Sequence, residues 1–160
     1  MQAQNLQQRP AEPSSLDNRL YGFIVVVLLA ALAVSGYLSY LKLFPAVAPA
    51  CPADATFDCN TVLNSRFSVV AGVPIAYLGF FTNVVLLGLL IAERVVRSFT
   101  QYAPLAVFFV ALFAFIYSVY LVYVQAFEIG AYCPWCLAHE ALIALIFGAA
   151  IWRLRTSGAL

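Results

Sequence analysis

Charge is what this sequence has least of. Among 160 residues stand eight Lys and Arg and seven Asp and Glu, 9% of the chain, against 64% hydrophobic residues. A soluble domain is nearer a quarter charged, so water is excluded as the solvent for most of the chain. Excess charge of either sign is missing too. The formal net charge of +1 gives no argument for nucleic acid or for an acidic partner. The four cysteines read C-x7-C at Cys51 and Cys59 and C-x2-C at Cys133 and Cys136. Structural zinc normally uses short spacings on both arms, so the first arm is too long and no metal is expected. Ala48 stands three residues before Cys51, where a lipobox needs Leu, which argues against a lipid anchor there.

What the chain does have is uncharged runs. Residues 21–41, 69–92 and 98–127 are each long enough to cross a bilayer core, which needs about 20 apolar residues. Residues 141–152 alone are too short. Begun at Pro134, a favoured first helical residue, the fourth run reaches Arg153 and spans fully, which carries His139 and Glu140 to membrane depth or into the interface. The expected fold is an all-α integral membrane protein, a bundle of four transmembrane helices over about 20–44, 70–93, 102–128 and 134–153. This bundle domain covers residues 19–155. An outer loop spans 45–69, and residues 1–18, polar and containing Gln and Pro, read as a disordered cytoplasmic tail. A signal peptide ending near residues 46–48 is the rival for the first run, but 21–41 exceeds a usual signal core.

Lys and Arg set the orientation. With the N-terminus inside, Arg9, Arg19, Arg94, Arg97, Arg153 and Arg155 fall on the cytoplasmic side, and Lys42 and Arg66 fall outside, as the positive-inside rule requires. The location implied is a cell inner or plasma membrane, multi-pass, with both termini cytoplasmic. All four cysteines then lie on the periplasmic or extracellular side, the oxidising one. Two structural disulfides pinning two loops are one use for them. They do not account for C-x-x-C, the redox-active spacing of disulfide oxidoreductases. Cys133 precedes a helix whose unpaired N–H groups and dipole favour its thiolate, and Cys136 lies one turn deeper. Such a dithiol can exchange with thiols above it and pass two electrons to an acceptor in the membrane, for which a quinone is the natural choice.

Other polar residues have two readings each. His139 and Glu140 lie i+3 and i+4 from Cys136, on its helix face. Ionisable groups at that depth are candidates for quinone binding or proton relay. The alternative is that they pair at a wet interface, with Arg66 or with each other. Asn83 is a pocket candidate, whereas Thr82, Ser118 and Gln125 are expected to join helices. Tyr117, Tyr120 and Tyr123 suit packing or an interfacial belt, and an aromatic wall with Tyr117 suits a quinone ring. In the loop, a short helix over about 59–67, with Val62, Leu63 and Phe67, is apolar enough to lie on the membrane, either as a lid or as an ordinary interfacial helix.

Four segments together carry a family resemblance. They are Cys51, the run from Cys59 through Ser65 and Arg66, the GVPIAYLG of residues 72–79, and Cys133-Pro-Trp-Cys136. On these the chain resembles the vitamin K epoxide reductase (VKOR) family across nearly its whole length. The resemblance implies a four-helix bundle around a quinone pocket capped by the outer loop. It implies Cys133 and Cys136 as the active pair, with Cys136 facing the quinone, and Cys51 and Cys59 as a loop shuttle pair. Ser65, with Arg66 beside it, would support the site. The substrate would be a membrane quinone (ubiquinone, menaquinone or vitamin K type). The donor would be a separate soluble thioredoxin-like protein on the outer side, and the product disulfide bonds in exported proteins. Where the animal epoxide-reducing enzymes carry an Asn and a Tyr that bond the quinone, this chain has Ile75 and Glu140. That favours plain quinone reduction over epoxide reduction. A non-catalytic membrane scaffold with structural disulfides is the alternative of a different class.

Overall fold

The structure, a computed structural model, describes residues 15–51, 56–96 and 98–156. Residues 1–14 of the expected tail, with Arg9, and also Arg97, lie outside the described residues.

Helix α1 runs Ser15–Leu43, and α2 is the short Cys59–Asn64 in the following loop. A 3-10 turn, Arg66–Ser68, leads into a hairpin of β1 (Val69–Val70) and β2 (Val73–Pro74), paired antiparallel. Helix α3 is Ile75–Val95, α4 is Ala103–Tyr123 with a π-helical continuation over Val124–Ile129, and α5 is Pro134–Thr156. Four of these helices are long and apolar enough to cross a membrane. They make the all-α, four-helix membrane bundle that the apolar runs require. Both faces of each helix are greasy. Only packing against neighbours separates the core stripe of Ile24, Leu28, Ala31, Leu86, Leu90, Val107 and Ile146 from large apolar side chains left exposed, such as Val26, Phe113 and Ile116.

Two boundaries differ from the sequence expectation. Residues 15–18 are the first turn of α1 rather than tail. Asp17 meets Arg153, and Asn18 accepts a hydrogen bond from Arg94 at 2.8 Å, so the turn is tied to α3 and α5. The second membrane helix starts at Ile75 rather than 70. The intervening hairpin turns through Ala71 (φ 50°) and Gly72 (φ 84°), left-handed backbone that glycine accepts readily, and Pro74 then forms the N-cap of α3.

The end of the bundle away from the cysteines is closed by a charge cluster. Arg153 is 2% exposed and donates to the Glu93 carboxylate and, at 2.8 Å, to Asp17. The Tyr21 ring lies under the Arg94 guanidinium at 4.1 Å, and its hydroxyl donates to the Leu90 carbonyl. Read from sequence, Arg153 was only a flank to a span. In the fold it joins α1, α3 and α5.

Candidate functional site

The site begins with backbone pairing. Residues 56–58 run alongside Tyr132 as an isolated parallel bridge. The Tyr132 N–H donates to the Thr56 carbonyl at 3.0 Å, and the Asp58 N–H donates to the Tyr132 carbonyl at 3.1 Å. The next residue on each segment is a cysteine, Cys59 and Cys133. Both are buried, in one cluster with Leu38, Val62 and Ala131. Asp58 then starts α2 as its N-cap. Its carboxylate accepts from the Thr61 hydroxyl at 2.6 Å and the Thr61 N–H at 3.0 Å. Those two bonds hold it below the ordinary carboxylate range.

Cys51 and Cys59 form a disulfide, and Cys133 and Cys136 are free thiols. The stretch before Cys51 is clasped from below. The Trp135 Nε1–H donates to the Ala50 carbonyl at 2.8 Å, the Ala50 N–H donates to the Tyr37 hydroxyl at 3.0 Å, and the two rings pack with centroids 5.0 Å apart. Trp135 lies between Cys133 and Cys136 in the chain, so the C-x-x-C turn and the loop cysteine are mechanically linked.

Cys133 is fully buried at the mouth of α5. The Cys136 thiol donates to its sulfur at 2.7 Å, and the Cys136 N–H points at the same sulfur from 3.2 Å. The thiol bond first, and then the N–H groups of Cys136 and Trp135, pull the Cys133 thiol below its ordinary value, against the opposing effect of burial. The helix start expected to favour a thiolate does so here through identified donors. The Cys133 N–H is itself held, by Gln125 Oε1 at 2.9 Å. Gln125 sits in the π-helical stretch that ends at Gly130, a left-handed residue (φ 69°) whose N–H closes onto the Gln125 carbonyl. Single π-turns inside α-helices are frequent at functional sites.

Beside the dithiol lies a cavity of about 780 Å³ with a largely apolar wall. Cys136, His139 and Glu140 face it from α5, Tyr117 and Ser118 from α4, and Gln125 from its π-helical continuation. Ile75 and Gly79 face it from α3, and Val62, Ser65 and Phe67 from α2 and the turn after it. The loop segment therefore forms the cavity's roof. Its side wall contains Phe81, Phe109 and Phe113, which are exposed on the bundle surface where α3 meets α4. The cavity is thus bounded laterally by side chains that would face lipid.

The sequence-predicted residues divide between contact and support. Cys136, Ser65, Tyr117, His139 and Glu140 all line the cavity. Asn83 does not. It is fully buried behind His139, with Nδ2 3.0 Å from His139 Nε2 and donating to Ser35 Oγ at 3.1 Å. His139 Nδ1 stands 4.0 Å from Glu140 Oε1. Arg66 stacks on the Phe67 ring at 4.7 Å and faces a separate shallow depression with Asn60, Asn64 and Glu128. No ion pair joins it to His139 or Glu140 among the described residues. Sequence reasoning assigned Gln125 and Ser118 to helix joining. Gln125 instead braces Cys133, and Ser118 Oγ is buried without a partner among the described residues. The bridge between 56–58 and 132 was also missed. A two-residue pairing leaves no periodic trace in sequence.

A family model described as Vitamin K epoxide reductase family matches residues 22–151. That range includes all four cysteines and every cavity-lining residue named above. A comparison with curated proteins finds no match.

Proposed function

The chain belongs to the Vitamin K epoxide reductase family, multi-pass membrane oxidoreductases working with thiols and quinones, and from that premise we propose that it is a quinone-dependent thiol oxidant generating disulfide bonds in exported proteins. The observation that carries this reading is the chain of neighbours from the Cys51–Cys59 disulfide, through buried Cys59 and Cys133, to Cys136 at the cavity wall.

A thioredoxin-fold partner on the outer side brings a dithiol. One of its thiolates attacks Cys51 and opens the loop disulfide, leaving Cys59 as thiolate. Cys59 attacks Cys133 of the oxidised C-x-x-C pair and releases the Cys136 thiolate. Cys51, freed as the partner's second thiol closes its own disulfide, then recovers Cys59, leaving Cys133 and Cys136 reduced. Two electrons and two protons pass from this dithiol to the quinone, which leaves as quinol, and the Cys133–Cys136 disulfide re-forms. The lowered Cys133 thiol suits the last closure, in which its thiolate bonds to the Cys136 sulfur.

The cavity suits a quinone in two ways. Its wall is apolar, and it contains buried polar atoms with no partner among the described residues, the Tyr117 hydroxyl among them. Such groups are rare in native structures and call for an explanation, which a bound ligand with hydrogen-bond acceptors supplies. Its lateral wall of phenylalanines gives a lipid-soluble substrate a way in from the bilayer. Tyr117 and Glu140 are the residues we assign to direct contact. His139 relays protons, held by Asn83 on one side and near Glu140 on the other. Ser65 and the apolar face of α2 cover the ring. Ile75 brings no hydrogen-bonding group to the wall, so plain quinone reduction is favoured over epoxide reduction. The positive-inside pattern supports a thiol end on the outer side.

The test is quinone reduction by purified protein, driven by dithiothreitol or by a reduced thioredoxin-fold protein. Wild type turns over with both donors. Cys136→Ser turns over with neither. Cys51→Ser fails with the protein donor alone. Absence of wild-type turnover with benzoquinones and naphthoquinones alike removes the enzyme reading and leaves the cysteines as staples.

A further inference from the structure

Serines and threonines in apolar helices commonly close back onto their own backbone. Ser35 does so, donating to the Ala31 carbonyl at 2.8 Å, and Thr82 does so to Leu78 at 2.8 Å. Ser118 is different. It is 4% exposed, it lines the cavity, and its hydroxyl has no partner among the described residues. Gln125 is 3% exposed and also lines the cavity. Its amide orientation is fixed, because Oε1 must accept the Cys133 N–H. The NH₂ end is therefore turned away from Cys133 and free to face the cavity that Gln125 lines.

The two residues are seven apart, Ser118 in α4 and Gln125 in its π-helical continuation, so they stand about two turns and roughly 10 Å apart along the axis. Helix α5 runs antiparallel beside it, packed along its length. Gln125 thus stands level with Cys133, and Ser118 stands at the depth of Glu140, itself seven residues below Cys133. One donor lies beside the reacting sulfurs and one lies at the floor. A ring with a carbonyl at each end, bonded at about 2.8 Å to a donor on either side, fills that interval.

We infer that Gln125 and Ser118 donate hydrogen bonds to the two opposite carbonyl oxygens of the quinone ring, and so fix which edge of the ring is presented to Cys136. The inference rests on the quinone reading above and adds its orientation.

The test is equilibrium binding, read by quenching of tryptophan fluorescence in detergent micelles. One probe is a short-tailed para-benzoquinone. The other carries the same tail on a benzene ring without carbonyls. Ser118→Ala weakens quinone binding about 3- to 10-fold, the loss of one neutral hydrogen bond, and leaves the carbonyl-free probe unchanged. Ser118→Thr, which keeps the hydroxyl, restores the affinity. Gln125→Glu, assayed at alkaline pH, keeps an acceptor for the Cys133 N–H but loses both donors, and weakens quinone binding alone. If wild type binds the quinone and these variants bind it equally well, the orientation is overturned and the function stands. If the variants weaken both probes alike, they have altered the cavity's shape and the inference also falls. If wild type binds no quinone, the function proposed above falls with it.

Discussion

Replacing Arg153 with Met tests whether the charge cluster, and not lipid solvation of four separate spans, holds the far end of the bundle. The Arg153 side chain is 3% exposed and ion-paired to Glu93 at 5% and Asp17 at 18%. Removing the cation leaves two carboxylates with little access to water. Breaking a buried pair from one side costs about 3–5 kcal/mol. For a chain of this size each kcal/mol moves the melting temperature by about 2–4 °C, so the expected fall is roughly 10 °C. Circular-dichroism melting in lipid nanodiscs reads it. Adding Glu93→Gln to Arg153→Met recovers a good part of the loss, since it removes one of the stranded charges. The thiols lie at the other end of α5, so dithiothreitol-driven turnover well below the transition stays near wild type. A fall of less than about 2 °C would refute the reasoning, as it would mean that water or lipid headgroups reach the cluster as easily as the guanidinium does.

Three further outcomes are expected. Asn83→Leu removes two hydrogen bonds, one buried and one partly buried, worth about 1–3 kcal/mol together. It lowers quinone turnover about tenfold or more through His139 while leaving quinone affinity intact, because Asn83 does not line the cavity; unchanged turnover would show that His139 moves no proton. In the reduced protein, the ultraviolet thiolate absorbance of Cys133 titrates with a midpoint below the ordinary thiol value of about 8.5, since the hydrogen bond from Cys136 depresses it. Cys136→Ala removes the largest of those stabilising contacts, so the midpoint rises, and a midpoint that stays put would assign the depression elsewhere. Trp135→Phe loses the bond to the Ala50 carbonyl, so turnover with the protein donor slows about 3- to 10-fold; an equal slowing with dithiothreitol would place the defect in the dithiol itself.

The sequence made the membrane fold legible for a simple reason. A bilayer imposes length and apolarity on every span, and little else in this chain looks like that. The C-x-x-C at the start of α5 was equally plain, because its chemistry depends on local spacing. What did not show were features made by residues distant in the chain. The pairing of 56–58 with Tyr132 joins segments over seventy residues apart by two hydrogen bonds. The pairing of Arg153 with Glu93 crosses sixty. Asn83 and His139 carry the right chemistry, but nothing in their own segments says that one stands behind the other. The start of α3 was misplaced because Val69, Val70 and Val73 are as apolar as a span. Only the backbone turn at Ala71 and Gly72 separates them from it.

The two ends of the bundle use buried polarity in opposite ways. Polar groups in an apolar interior cost free energy unless they are paired. At the far end the pairing is tight, with Arg153 held by two carboxylates and Tyr21 bonded through its hydroxyl and stacked under Arg94. At the thiol end it is incomplete. Asn83 Oδ1, the Tyr117 hydroxyl and the Ser118 hydroxyl are buried without partners among the described residues, and two of these three line the cavity. A sequence selected for stability alone would replace Ser118 with Ala and Tyr117 with Phe at little cost to packing. Their presence as polar groups, around a cavity that touches one sulfur of the dithiol, is intelligible if a ligand with hydrogen-bond acceptors completes them. Binding then stabilises the occupied form. Quinone is therefore expected to raise the melting temperature of wild type, and to raise that of a Tyr117→Phe/Ser118→Ala variant less, although the empty variant is the more stable of the two.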